Sequence, residues 1–68
     1  MLELTVNGER REVRSPCTVK DLLEQLALGG ERIAVAINRD VVPRSTFPSH
    51  ELENGDRVEI LEAVGGGA

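Results

Sequence analysis

Cys17 and His50, the only cysteine and the only histidine of this 68-residue chain, are two side chains whose types could do covalent chemistry. Cys17 precedes a predicted helix, whose N-terminus could lower the pKa of a thiol and make it reactive. A lone cysteine in a small domain is more often a packing residue, and no histidine lies near it in sequence. His50 lies in a polar loop without an evident catalytic partner, so we interpret it as a solvated surface residue.

Three acidic residues, Glu51, Glu53 and Asp56, lie close enough in sequence to suggest a metal site. They flank a predicted turn, and the preference of aspartate for turns explains Asp56 without an ion. No nucleophile–base pair and no metal cluster can be assembled from the residue types present. We therefore predict that the protein is not an enzyme, binds no metal and holds no cofactor of its own.

The C-terminus offers chemistry of another kind, because Gly65, Gly66 and Gly67 follow directly on the last predicted strand and precede Ala68. A tail of four residues can project on the order of 14 Å from a domain. A segment without Cβ atoms can thread a narrow channel and bring its carboxylate close to a nucleotide or a substrate. A frayed terminus explains the glycines equally well when they are taken alone. They do not form a phosphate-binding loop, which needs a Lys-Ser/Thr pair and a following helix.

Composition excludes several classes of partner. The formal net charge is -4, and an acidic surface repels phosphate backbones. Phe47 is the one aromatic residue, so bases have no stacking platform, and we expect no nucleic-acid partner. No apolar run approaches the roughly 20 residues of a membrane helix. Since a small domain without disulfides fits a reducing compartment, we predict a cytoplasmic protein with no membrane partner.

The order of elements is predicted to be β-β-α-β-β-β from turn signals and hydrophobic periodicity. Asn7-Gly8 is the strongest hairpin signal, and Asn54-Gly55-Asp56 marks another tight turn. The strands are expected at about residues 2–6, 9–14, 33–37, 41–42 and 57–64. They and the helix form one domain over residues 1–64, followed by a flexible glycine-rich tail over residues 65–68.

One amphipathic helix is predicted from about Thr18 to Leu28. Thr18 and Asp21 resemble a capping box at its start, and a glycine pair follows Leu28. Its apolar residues recur at i, i+3, i+4 and i+7, as one stripe that can cover a sheet. Most of the core is expected to consist of Leu22, Leu23, Leu26, Val35, Ile37, Val58 and Ile60.

One helix can cover only one side of the predicted sheet, so the other side has no covering helix. The apolar run at residues 33–37 is continuous, and we interpret it as a strand packed on both sides. Ile60 and Leu61 are adjacent in the last strand and must face opposite sides. Leu61 and Val64 are therefore predicted to leave an apolar surface next to the tail, where a partner could dock.

Four segments, in their order and spacing, resemble the sulfur carrier proteins of thiamin biosynthesis. They are TVKDLLEQL (18–26), VAIN (35–38), VVPR (41–44), and NGD (54–56) leading to AVGGG (63–67). The likeness covers essentially the whole chain, and the combination is more specific than any one segment. It implies an α+β fold of the ubiquitin-like β-grasp type, with a mixed sheet of four to five strands and one main helix packed on one face.

The resemblance also implies a mechanism. A partner enzyme related to ubiquitin-activating enzymes uses ATP to adenylate the terminal glycine carboxylate. Sulfur from a donor protein then displaces the adenylate to give a thiocarboxylate, and thiazole synthase accepts that sulfur. Gly67 is the residue that would carry the adenylate and the thiocarboxylate, while Gly65 and Gly66 would thread the partner's channel. The carrier contributes delivery and positioning, and the catalytic groups belong to its partners.

One residue departs from the family pattern, which usually ends at Gly-Gly, because Ala68 follows Gly67 here. Three interpretations stay open: a protease removes Ala68, the residue is foreign to the natural protein, or the protein is not a functional carrier. The alternative functions are sulfur transfer for molybdopterin synthesis or tRNA thiolation, protein modification through the same glycine, and plain interaction with an inert tail. The short chain and its Val-Pro-Arg segment favour the thiamin type.

Overall fold

The computed structural model describes residues 1–28 and 32–62 of the chain. Its elements follow the predicted order β-β-α-β-β-β, with a short 3-10 helix between the last two strands. The strands are β1 (Leu2–Val6), β2 (Glu9–Val13), β3 (Ile33–Ile37), β4 (Asp40–Val42) and β5 (Arg57–Glu62). The α-helix is α1 (Val19–Gln25), and the 3-10 helix covers Arg44–Thr46.

The five strands form one mixed sheet in the order β2-β1-β5-β3-β4. β1 and β5 run parallel, with Thr5 opposite Arg57 and Val6 opposite Val58, whereas the other neighbours run antiparallel. A parallel pair cannot be joined by a hairpin, and the chain between β1 and β5 includes α1. The first and last strands are adjacent and a single helix crosses one face, so the predicted β-grasp fold is confirmed.

The capping box predicted at the start of α1 is present. The Thr18 hydroxyl accepts a hydrogen bond from the Asp21 N–H at 3.1 Å, and the Asp21 carboxylate accepts one from the Thr18 N–H at 3.0 Å. Because the first N–H groups of a helix have no partner within the helix, these two bonds stabilise its first turn.

The helix ends at Gln25, so the prediction that it extends to Leu28 is wrong. Ala27 has a φ angle of 58°, in the left-handed region. The Leu28 N–H donates to the Leu23 C=O at 2.8 Å and the Ala27 N–H donates to the Glu24 C=O at 3.1 Å. This is a Schellman motif, which usually has glycine where Ala27 stands. The glycine pair taken as the stop signal lies outside the described residues.

The core lies between α1 and one face of the sheet. Of the seven predicted core residues five are buried, and Leu26 and Ile60 are half-buried against them. Leu26 is less covered because α1 has ended before it. The core also takes in residues that the prediction omitted, from all elements except β5 and the 3-10 helix and from the loops: Leu4, Val6, Val13, Cys17, Val19, Ile33, Val42, Phe47 and Leu52.

β3 is packed on one side only, which corrects the expectation of packing on both sides. Ile33, Val35 and Ile37 are buried in the core, whereas Ala34 is exposed and Ala36 is half-buried. The continuous apolar run conceals a period of two, with large branched residues on one face and small ones on the other. The face of the sheet opposite α1 is called the open face. Along β3, the side chains on the open face are therefore the alanines Ala34 and Ala36.

Replacement of Leu23 by alanine tests the helix face. Leu23 is 6% exposed, and the cavity left between α1 and the sheet should lower the free energy of unfolding by roughly 2–5 kcal/mol. The midpoint of urea unfolding should fall clearly, since domains are stable by only about 5–15 kcal/mol. Leu61→Ala is the control, because Leu61 is 73% exposed and its loss should cost under about 0.5 kcal/mol. An unchanged midpoint for Leu23→Ala would contradict the observed packing.

Candidate functional site

The strand that leads to the C-terminal tail lies in the middle of the sheet. β5 pairs with β3 along its length, from Val58 opposite Ile37 to Glu62 opposite Ile33. Glu62 is the last described residue, so the predicted tail and Val64 lie outside the described part of the chain. The structure thus places the strand that leads to the tail between β1 and β3 in the sheet order.

The open face carries an apolar patch beside the end of β5. Leu61 is 73% exposed and Val41 is 77% exposed, while Ala34 pairs with Leu61 and Ala36 pairs with Val41 across the strands. These four residues, called the open-face patch below, border a shallow depression of about 460 Å³. The prediction that Leu61 faces away from the core is confirmed.

Sequence reasoning missed three members of this patch: Ala34, Ala36 and Val41. The alanines were overlooked because the run at 33–37 was interpreted as a strand packed on both sides. Val41 was expected to pair but was not assigned to a face. The signal was available in β3, since alanine at every second position between larger branched residues indicates a face without a covering layer.

Cys17 is a core residue, 1% exposed, and not a reactive thiol at a helix start. Its S–H donates to the Thr18 C=O at 3.5 Å. Burial raises the pKa of the Cys17 thiol above its ordinary value, and the nearby Asp21 carboxylate raises it further. The positive end of a seven-residue helix does not outweigh these two effects. The interpretation of Cys17 as a packing residue agrees with this environment.

Two loop residues that could have done chemistry, Asp56 and His50, make structural contacts. Asp56 is buried, and its carboxylate accepts hydrogen bonds from the Glu53 N–H at 2.8 Å and from the Asn38 side-chain amide at 3.0 Å. His50 is half-buried rather than solvated, because its C=O accepts from the Val19 N–H at 3.0 Å and holds the loop against α1. Within residues 1–28 and 32–62, no three His, Cys, Asp or Glu side chains are grouped to hold a metal ion.

These features define a class of protein. The described residues form a β-grasp domain with one α-helix and with an exposed apolar patch beside the last described strand. None of the helices in the two described segments is long and apolar enough to cross a membrane. Residues 4–67 match the family model of the ThiS family, and the chain belongs to that family.

Similarity to individual proteins agrees with membership of this family. The chain is 30% identical to the sulfur carrier protein ThiS of Escherichia coli strain K12, over 97% of this chain and 100% of that protein. It superimposes with a TM-score of 0.81 on a crystal structure of the thiamine biosynthesis protein ThiS from Geobacter metallireducens, at 35% identity and with 97% and 100% of the two chains covered.

A third similarity is to a longer protein. A thiazole synthase of Paramagnetospirillum magneticum is 34% identical over 98% of this chain, which spans only 21% of that protein. A sequence equivalent to nearly the whole of this chain therefore exists as one part of a larger polypeptide.

The environment of Cys17 predicts that alkylating reagents attack it slowly in the folded protein. Because the thiolate is the reactive form and the pKa is raised, labelling should increase as the pH rises. Intact mass after iodoacetamide treatment near neutral pH should show little adduct in the native protein. The same treatment in concentrated urea should modify the thiol fully. Rapid labelling of the native protein would contradict the buried position.

Proposed function

We propose that this protein is a sulfur carrier of thiamine biosynthesis that holds sulfur as a thiocarboxylate on Gly67. Membership of the ThiS family carries the proposal. The structure supports it in two ways. The sole thiol is buried, which argues against sulfur transfer on Cys17, and β5 leads directly toward the glycines. The protein is on this account a substrate of its partners and not an enzyme.

The proposed chemistry starts from a carboxylate, which is a poor electrophile. An oxygen of the Gly67 carboxylate attacks the α-phosphorus of ATP and pyrophosphate leaves, which gives an acyl adenylate. Hydrosulfide delivered by a donor protein attacks the acyl carbon, AMP leaves, and a thiocarboxylate remains after loss of the proton on sulfur. The ATP is bound by the adenylating partner, and this chain contributes the position of the reacting end.

Thiazole synthase is the proposed recipient of the sulfur. The Paramagnetospirillum thiazole synthase includes a segment equivalent to nearly the whole of this chain. Covalent linkage of two domains raises their effective concentration to about the millimolar range for short linkers, which favours a reaction between them. The adenylating enzyme and the sulfur donor are proposed as further partners.

The open-face patch is the proposed contact for the adenylating enzyme. Leu61 lies in the same strand that leads to the tail and only one residue before Glu62, the end of β5. An enzyme that takes up the tail must therefore lie close to this patch. Burial of exposed apolar surface favours protein–protein association, so we propose that Leu61 and Val41, together with Val64, contact this enzyme.

Replacement of Leu61 by serine should weaken binding to the adenylating enzyme without unfolding the protein. We expect the half-saturating concentration of carrier to rise by about fivefold to thirtyfold, as for a residue at an interface centre. Glu12→Ser is the matched control, because Glu12 is exposed on the same face but on the edge strand β2. Equal effects of the two substitutions, measured by pyrophosphate release, would place the contact elsewhere.

The end of the chain is tested by comparing two forms of the protein. Ala68 moves the terminal carboxylate by about 3.5 Å and adds a methyl group where the tail must be thin. The chain ending at Gly67 should therefore release pyrophosphate with the adenylating enzyme and gain the mass of a thiocarboxylate. The 68-residue chain should react far more slowly.

Adenylation of the two C-terminal forms, followed by identification of the sulfur acceptor, separates the competing functions. Adenylation of Ala68 as readily as Gly67 would refute Gly67 as the reactive end while leaving the family assignment intact. Transfer of the sulfur to thiazole synthase supports the thiamine pathway. Transfer only to a molybdopterin synthase subunit or to the tRNA thiolation machinery, or isopeptide bonds to other proteins, would replace it with one of those alternatives.

A further inference from the structure

The C-terminal half of β5 has an unusual neighbour on one side. β1 pairs with β5 only as far as Val58, because β1 ends at Val6 and the chain turns back through Asn7-Gly8. On the opposite side β3 pairs with β5 as far as Glu62. The part of β5 nearest the tail would therefore be supported from one side alone if nothing replaced β1.

The side chain of Asn7 takes the place of a further residue of β1 beside Ile60. The Asn7 backbone N–H donates to the Val58 C=O at 2.9 Å. Its side-chain Oδ1 accepts from the Ile60 N–H at 2.7 Å, and its Nδ2 donates to the Ile60 C=O at 3.2 Å. A carboxamide offers one acceptor and two donors, so it can pair with both polar groups of a peptide as a neighbouring strand would. Asn7 thereby extends the pairing of β5 one step beyond the end of β1.

The residue at position 7 must satisfy two requirements, one on its backbone and one on its side chain. The φ angle of Asn7 is 50°, in the left-handed region that asparagine tolerates better than most residues with a Cβ atom. The side chain must also be short and carry both a donor and an acceptor. Aspartate would lose the donor and place a negative charge against the Ile60 C=O, and glycine would keep the turn but lose both side-chain bonds.

We propose that Asn7 is a positioning residue for activation of the C-terminus, because it fixes the direction in which β5 presents the tail to the adenylating enzyme. The inference rests on the proposed function, in which Gly67 is the reacting end. Gly67 lies seven residues beyond Ile60, a distance of up to about 24 Å in an extended chain. An ordered end of β5 limits the positions that a flexible tail can take, so the enzyme has less of the chain to order when it binds the tail.

Asn38 provides a matched control at the other end of the same strand. It also has a φ angle of 50° and lies in the turn between β3 and β4. Its N–H donates to the Arg57 C=O at 2.8 Å, and its Oδ1 accepts from the Arg57 N–H at 3.0 Å. Asn38 therefore holds the first residue of β5, whereas Asn7 holds the strand near its exit.

The test compares Asn7→Gly with Asn38→Gly, since glycine preserves both turns. Loss of the Asn7 bonds should raise the carrier concentration that half-saturates adenylation by about tenfold, because the strand end must then be ordered on binding. The maximal rate should stay within about twofold, and Asn38→Gly should leave both quantities within about twofold. All three proteins are compared by pyrophosphate release in the C-terminal form that the enzyme accepts.

Amide hydrogen exchange is a second measurement that needs no partner. Exchange of the Ile60 N–H should accelerate by at least about tenfold in Asn7→Gly and stay near the wild-type rate in Asn38→Gly. Equal shifts of half-saturation in the two variants, or unchanged exchange at Ile60, would overturn the proposal. If neither C-terminal form of the wild-type chain is adenylated, the proposed function fails together with a role in activation, and accelerated exchange would then show only that Asn7 holds β5.

Discussion

One helix has to provide most of the second layer for a sheet of five strands. α1 is seven residues long, so it covers only part of one face, and side chains from the loops complete the core. A chain of this length buries only about 60% of the surface that its unfolded form exposes, which leaves little for a layer on the opposite face. The residues on that face are therefore small or polar over most of the sheet, and Leu61 and Val41 are conspicuous exceptions.

The parallel pairing of β1 with β5 places the end of the domain in the centre of the sheet. A terminal edge strand would be held by one neighbour, whereas β5 has β3 on one side and β1 followed by Asn7 on the other. The tail thus begins at a point with a defined position relative to the open-face patch. Such preorganisation reduces the ordering cost on binding, so a partner can recognise the patch and the tail together.

Local chemistry made much of the fold predictable. Asn7-Gly8 and the Thr18 capping box depend on neighbouring residues alone, and both appear as expected. The side of the sheet that stays open depends on contacts between distant strands, so the composition of β3 was misinterpreted. The helix end was missed because Ala27 adopts a conformation usually left to glycine. The assignment of chemistry to Gly67 came from family resemblance, and the described residues supply only its support.

The proposed chemistry also constrains where nucleophiles can lie, because an acyl adenylate reacts with amines and thiols. Lys20 is the only lysine, and the other basic side chains besides His50 are arginines, whose delocalised guanidinium groups are poor nucleophiles. Cys17, Lys20 and His50 surround the start of α1, where the Leu52 N–H bonds the Cys17 C=O shortly before β5 begins. Because β1 is parallel to β5, Met1 also lies toward the entry of β5. β5 runs from this region toward Glu62, so these nucleophiles lie at the end of the strand remote from the attachment of the tail.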